Sequence, residues 1–154
     1  MSKTIFIGSD HGGFDLKEKI KNYLEEKKLD YEDLGTHSRE STNYVLYAKE
    51  VCLNVLHHEG LGILCCSSGI GMSIAANKVI GIRAALCTSK FHAEFSRRHN
   101  DANVICFGQK VTSANDAIEM VDIFINTSFD GGRHEGRVNT ISEIEKENWA
   151  ANLV

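Results

Sequence analysis

Apolar and polar positions along the chain fall into a repeated pair: a short β-branched or aromatic run, a break of glycine and polar residues, then apolar residues at helical spacing. Thr4 to Ile7 stops at Gly8-Ser9-Asp10-His11-Gly12-Gly13, after which Leu16, Ile20, Tyr23 and Leu24 recur on one face. Tyr31 to Leu34 predicts a second strand closed by Gly35, and the polar stretch Thr36 to Thr42 leads to a helix carrying Tyr47, Val51, Leu53 and Val55. Gly62 to Cys65 predicts a third strand, followed by the loop Cys66-Ser67-Ser68-Gly69-Ile70-Gly71 and a helix with Met72, Ile74, Ala75 and Ala76. Ile82 to Cys87 and Val104 to Phe107 predict the fourth and fifth strands, with helices at Ser89 to His99 and Ser113 to Asn126. Phe129 to Val138 reads as a glycine-rich turn, and a last helix is expected from about Thr140 to Ala151.

Strand and helix alternation of this kind predicts an α/β fold: a five-stranded parallel sheet with helices on both faces, and a C-terminal helix docked on this subunit or on another. In such sheets ligands collect outside the carboxyl ends of the strands, where strand order reverses. No linker or low-complexity segment interrupts residues 1–154, so a single domain is expected.

Composition narrows the setting. The formal net charge is −4 with no basic block, which argues against a nucleic-acid surface. No apolar run approaches the roughly 18 residues of a membrane span, and the start lacks the basic region and cleavage site of a signal peptide, so a cytoplasmic protein without a membrane partner is expected. The five cysteines form no CxxC framework and are expected to be reduced, with Cys52, Cys65, Cys87 and Cys106 as small buried hydrophobes.

The candidate chemistry centres on Cys66 and the loop that follows it. Small residues and glycines opening a helix turn backbone N–H groups toward one point, where an anion is stabilised, and a thiol beside such a site is a candidate base. In a parallel sheet Asp10-His11, Cys66-Ser67-Ser68 and Lys110 fall at the same edge. His99-Asn100 closes a helix whose end points away from that edge, so its use there requires a second subunit. Arg133 and Arg137, four apart, face one way on a helical turn and suit a phosphate. Each group has a plainer alternative: His11 as a turn cap, His99 serving the helix dipole, the arginine pair as an exposed basic face. His37, His57, His58, His92 and His134 are taken as solvated or local. The expectation rests on convergence of thiol, imidazole, oxyanion loop and guanidinium groups around one cleft. Rival motifs are weaker, since Gly69-Ile70-Gly71 has Ile74 where a dinucleotide fingerprint needs glycine, no Walker pattern occurs, Cys65-Cys66 is not zinc spacing, and Asp10 alone makes no receiver pocket.

Five segments in order, Gly8 to Phe14, Gly69 to Lys78, Gly81 to Ala85, Ser96 to Val104 and Gly131 to Val138, resemble the type B ribose 5-phosphate isomerases and the related galactose 6-phosphate isomerase subunits. The resemblance implies a Rossmann-like, three-layer domain that forms a homodimer with shared active sites, alone or paired into a tetramer. It also implies aldose–ketose interconversion of a sugar phosphate with no metal or organic cofactor. By that resemblance Cys66 is the base that moves a proton between C1 and C2, assisted by Ser68, and the N–H groups of Ser67, Ser68, Gly69, Ile70 and Gly71 hold the enediolate. His99 opens the furanose ring, Asp10 and Asn100 bind sugar oxygens, and His11, Arg133 and Arg137 take the phosphate, with His99, Asn100 and Lys110 supplied by the partner chain.

Three departures bear on substrate and activity. Asn43-Tyr44-Val45-Leu46-Tyr47-Ala48 replaces the family's Asp-Tyr-Pro-Asp-Tyr-Ala, Ser67 stands where glycine is commoner and is strained if that position needs positive φ, and Lys110 replaces an arginine. A six-carbon substrate such as allose or galactose 6-phosphate, or a non-catalytic sugar-phosphate binding subunit, are the alternatives.

Overall fold

A computed structural model describes residues 2–152. Five strands, β1 (Ile5–Ser9), β2 (Tyr31–Asp33), β3 (Leu61–Cys66), β4 (Ala84–Leu86) and β5 (Val104–Gly108), alternate with helices α1 (Phe14–Glu26), α2 (Tyr44–His58), α3 (Ile70–Ala76), α4 (Lys90–Arg98) and α5 (Ala114–Asn126), and α6 (Arg133–Asn152) follows. All pairings are parallel, in the order β2-β1-β3-β5-β4. The chain leaves β1 toward one edge and returns to pair β3 on the other side, so the crevice between the carboxyl ends of β1 and β3 is the switch point.

The sheet is buried on both sides because successive side chains point to opposite faces. Ile5, Ile7, Ile63, Cys65, Ile105 and Phe107 pack under α1 and α5 with Leu16, Ile20, Leu24, Met120, Val121 and Phe124. Phe6, Leu64, Cys66 and Cys106 pack under α2 and α3 with Ala48, Val51, Cys52, Val55, Met72 and Ala76. All five cysteines are buried free thiols. Burial pushes the Cys52 and Cys87 thiols up to about 12 and raises those of Cys65 and Cys106 as well, as expected of small core hydrophobes.

Two elements depart from the sequence expectation. β4 is confined to Ala84–Leu86 because side chains take over the backbone at its start: Asn103 Oδ1 accepts from Arg83 N–H and Asn77 Oδ1 from Ala84 N–H, each at 2.8 Å. α6 begins at Arg133 instead of near Thr140. Gly131 and Gly132 adopt positive φ of 65° and 54° and make the turn, whereas Gly136 rides inside the helix with open space where a Cβ would be. α6 touches the domain along one side only. Its Glu145 carboxylate accepts from Gly81 N–H at 2.7 Å, it roofs a cavity of about 410 Å³ over Ile82, Ala85 and Asn100, and Ile144 and Trp149 stay exposed. No helix among the described residues is long and apolar enough to cross a membrane.

Candidate active site

At the switch point the carboxyl ends of β1 and β3 bring Asp10, His11 and Cys66 together. β1 ends in a single 3₁₀ turn, His11–Gly13, which Asp10 caps: its Oδ1 accepts from Gly13 N–H at 3.1 Å, and the carboxylate is buried. His11 Nδ1 accepts from Thr42 N–H at 3.1 Å. The neutral ring therefore carries its proton on Nε2 and has a donor to offer. Cys66, the last residue of β3, is 5% exposed, and its Sγ accepts from Gly69 N–H at 3.1 Å. Ile70 N–H donates to Ser68 Oγ at 3.2 Å, so in the free protein two donors of the loop are shared with side chains.

The loop is held by close backbone approach. Gly69 takes φ +80°, and a Cβ there would fall 2.9 Å from the Phe107 carbonyl carbon. From the other side Gln109 N–H donates to the Cys66 carbonyl at 2.8 Å and Lys110 N–H to the Ser67 carbonyl at 3.0 Å, while Gln109 Oε1 accepts from Leu16 N–H at 3.0 Å. Ser67 is not strained: among the described residues the non-glycine positions with positive φ are Lys28, Glu59 and Asp101. Its hydroxyl fills the space above Gly12, where a Cβ would stand 2.2 Å from Ser67 Oγ.

Two tyrosines with no role predicted from sequence close this half. The Tyr44 ring lies against Gly71, whose Cβ would be 2.8 Å from it. Tyr47 Oη is 3.1 Å from Thr42 Oγ1, and hydrogen bonds from Thr42 and then Thr36 hold this phenol below its usual range. Both stand in the first turn of α2, capped by Asn43, whose side chain accepts from Val45 N–H at 3.0 Å. The signal available was aromatic residues three apart where a polar connection enters a helix.

Beneath this edge Lys17 is fully buried, its ammonium donating to both Asp33 oxygens at 2.7 and 2.9 Å and to the Thr36 carbonyl. Burial works against the Asp33 carboxylate, but hydrogen bonds from Lys17, Lys21 and Gly35 outweigh it and hold its pKa below the usual range. The pair anchors the connection that carries Thr42 to His11.

Within one chain the guanidinium groups do not join the thiol in one cleft. His99 caps α4 at the amino ends of the strands, where Asn100 and Asp101 carbonyls accept from Arg83 just before β4. α6 starts there too: Asp130 N–H donates to the Arg98 carbonyl at 3.0 Å, and the His134 ring stacks on His99 with centroids 4.0 Å apart and planes 14° apart. Arg133 and Arg137 flank His134 and are exposed. β3 alone has six residues, which at about 3.3 Å each puts the two edges roughly 15–20 Å apart. Asp10, His11, Ser67, Ser68, Gly69, Ile70, Gly71 and Lys110 thus lie with Cys66, and Asn100, Arg133 and Arg137 lie with His99. Lys110 shares the edge of Cys66, and the arginines share the edge of His99. His134, expected to be solvated or local, is buried, because the helix it opens reaches back to α4.

His99, Asp130 and His134 place nitrogen and oxygen donors within 4.8 Å of one another, a spacing a metal ion could use. The surroundings oppose it: Asp130 is paired with Arg98 through both oxygens at 3.2 Å, and Arg133 and Arg137 add positive charge, a setting suited to an anion.

A parallel α/β domain with a thiol at its switch point and basic residues on the opposite edge belongs among small-ligand enzymes of doubly wound fold. The chain is a member of the Ribose/Galactose Isomerase family, whose model matches residues 5–141. It is 45% identical over 145 residues to ribose-5-phosphate isomerase B of Escherichia coli K12, covering 94% of this chain and 97% of that one. Among solved structures, ribose-5-phosphate isomerase B of Clostridium thermocellum superposes with a TM-score of 0.92 at 45% identity, over 94% of this chain and 99% of the other. A ribose 5-phosphate isomerase of Thermotoga maritima gives 0.89 at 49% identity, over 92% and 98%.

Proposed function

We propose that this protein interconverts ribose 5-phosphate and ribulose 5-phosphate through an enediolate, with Cys66 as the base. The observation that carries the proposal is the Cys66 sulfur held by Gly69 N–H in the β1–β3 crevice beside Asp10 and His11, in a chain alike over nearly its whole length to proteins of that activity.

In the furanose form the C1–ring oxygen bond breaks, its electron pair goes to the ring oxygen, which takes a proton, and the C1 hydroxyl gives one up as the aldehyde forms; His99 moves these protons. Cys66 thiolate then removes the C2 proton, the electrons pass to the C1 oxygen, and the thiol, whose proton exchanges with solvent, delivers a proton to C1 as the C2 hydroxyl proton transfers. The step is redox-neutral overall and draws on no external oxidant. A proton next to a carbonyl becomes removable only when the oxyanion is stabilised, which prepositioned N–H groups at Ser67 to Gly71 do without reorganising. Ser68 supports the loop, Asp10 and Asn100 bind sugar oxygens, and His11 with Arg133, Arg137 and Lys110 takes the phosphate.

Because Cys66 and His99 stand on opposite edges of one chain, a complete site takes two chains, and a homodimer is the simplest arrangement. Leu46, Leu53, Ile70 and Ile74 leave an exposed apolar face on α2 and α3, from 46% to 60% exposed, a surface for a second copy to cover. The working compartment we infer is the cytoplasm.

Asn43, which caps α2, also favours asking about a longer substrate, since it and Leu46 replace the two acids of the usual family segment. Comparing kcat/KM for ribose, allose and galactose phosphates decides between them: ribose 5-phosphate is expected to lead by at least tenfold, and a leading six-carbon phosphate would reverse the assignment. Solvent deuterium entering the sugar at C1 or C2 is expected; binding without exchange would mark a non-catalytic sugar-phosphate subunit.

A further inference from the structure

His134 is the least explained buried polar residue of the molecule. α6 meets the domain along one side only, yet this side chain in its first turn is 8% exposed while its neighbours Arg133 and Arg137 project into solvent. What buries it is His99. The two rings stack at 4.0 Å, His99 meets Phe95 edge-on at 4.7 Å, and Phe95 stacks on Phe91 at 4.4 Å. The result is a ladder of four rings from the outer face of α4 to the start of α6, with His99 clamped between Phe95 and His134. None of the hydrogen bonds among the described residues runs through a His134 ring nitrogen, so it is the face of the ring that makes the contact. Burial, followed by the neighbouring His99, Arg133 and Arg137, holds the His134 pKa below the ordinary histidine range. A neutral ring can stack closely on an imidazole that gains and loses a proton, where a charged one would repel it.

Resting on the isomerase activity proposed above, we propose that His134 is a positioning residue for ring opening: its ring, stacked on His99, fixes the plane in which His99 meets the furanose and ties that plane to the helix turn bearing Arg133 and Arg137. His134 itself neither touches the sugar nor moves a proton. The arrangement couples two events, since a phosphate that draws in the arginines also settles the turn against which His99 rests.

The chemistry of the two substrates separates this role from a structural one. Ribose 5-phosphate is a furanose and must be opened. Ribulose 5-phosphate has its C5 oxygen esterified, cannot close a furanose, and exchanges its C1 hydrogen with solvent through the enediolate without ring opening. The test compares the protein with His134→Ala and His134→Phe in two assays, kcat/KM for ribose 5-phosphate and deuterium exchange into ribulose 5-phosphate. His134→Ala is expected to lose about tenfold to a hundredfold in the first, the cost of a misaligned catalytic group, while exchange stays within about threefold. His134→Phe, which keeps the stacking face without the nitrogens, is expected to recover most of the loss. Equal losses in both assays for His134→Ala, no loss in either, or no rescue by phenylalanine would overturn the proposal. Absence of exchange in the unsubstituted protein would instead overturn the isomerase assignment.

Discussion

The two edges of the sheet are built in opposite ways. At the carboxyl edge the groups around Cys66 are locked by backbone: Gly12 under Ser67, Gly69 against Phe107, and the Cys66 and Ser67 carbonyls tied to Gln109 and Lys110 N–H groups. Below them lies the fully buried Lys17 with Asp33. At the amino edge His99, Asn100, Arg133 and Arg137 stand on helix ends, held by ring stacking and surface ion pairs. Stabilising a developing oxyanion needs donors already in place, because any reorganisation is added to the barrier. Gripping a phosphate and moving protons at a ring oxygen tolerate longer, adjustable side chains. The rigid half suits the carbon chemistry, and the adjustable half suits capture and ring opening.

If this division is right, the largest effect comes from the rigid half. Cys66→Ala is expected to lower kcat by roughly 10²–10⁴, the usual worth of a positioned base, with KM changed only a few-fold; steady-state assays check it, and near-normal turnover would remove Cys66 as the base. Asp33→Asn leaves the buried Lys17 ammonium only the half-exposed Glu18 carboxylate, 3.8 Å away, and is expected to cost roughly 3 kcal/mol in denaturant unfolding at neutral pH. The sign with pH follows from the depressed carboxylate: its stabilisation is complete above the ordinary value of 3.8 and is lost as pH falls through the lower folded-state pKa. The gap between the protein and Asp33→Asn therefore narrows on acidification, and a gap that widened would contradict the ion pair's role.

Smaller effects sharpen the contrast glycine by glycine. Gly12→Ala puts a methyl 2.2 Å from Ser67 Oγ, and a loss of about tenfold in kcat/KM is expected, partly recovered by adding Ser67→Gly, with a coupling of about 0.5–3 kcal/mol in a double-mutant cycle. Gly136→Ala in α6 meets nothing within 4 Å and is expected to raise stability by about 0.5–1 kcal/mol without changing turnover, as melting curves and kinetics will show.

Much of this was legible in the sequence because periodicity carries it. The strands, the helices and the gathering of Asp10, His11 and Cys66 follow from apolar runs that end in polar residues at one edge of a parallel sheet. The amino edge was harder to read. Three glycines between residues 131 and 136 look alike in sequence, yet two make the turn and the third sits within the helix, and that difference moves Arg133 and Arg137 to the side of His99. Ser67 looked strained for a similar reason: its comfort depends on Gly12, more than fifty positions away, and on a φ that no local pattern reports. Stacking of His134 on His99 joins residues from two helices, and periodicity along one helix is blind to it.

The central claim is that catalysis combines the carboxyl edge of one chain with the amino edge of another, and mixing two inactive variants tests it most directly. Cys66→Ala keeps an intact amino edge and His99→Asn an intact carboxyl edge. A mixed dimer of the two holds one complete site and one doubly broken site. With random pairing, half the dimers are mixed and each has one working site of two, so co-expressed or refolded mixtures are predicted to regain about a quarter of the unsubstituted activity. Activity no higher than the sum of the separate variants, in a mixture shown to contain mixed dimers, would contradict the shared site.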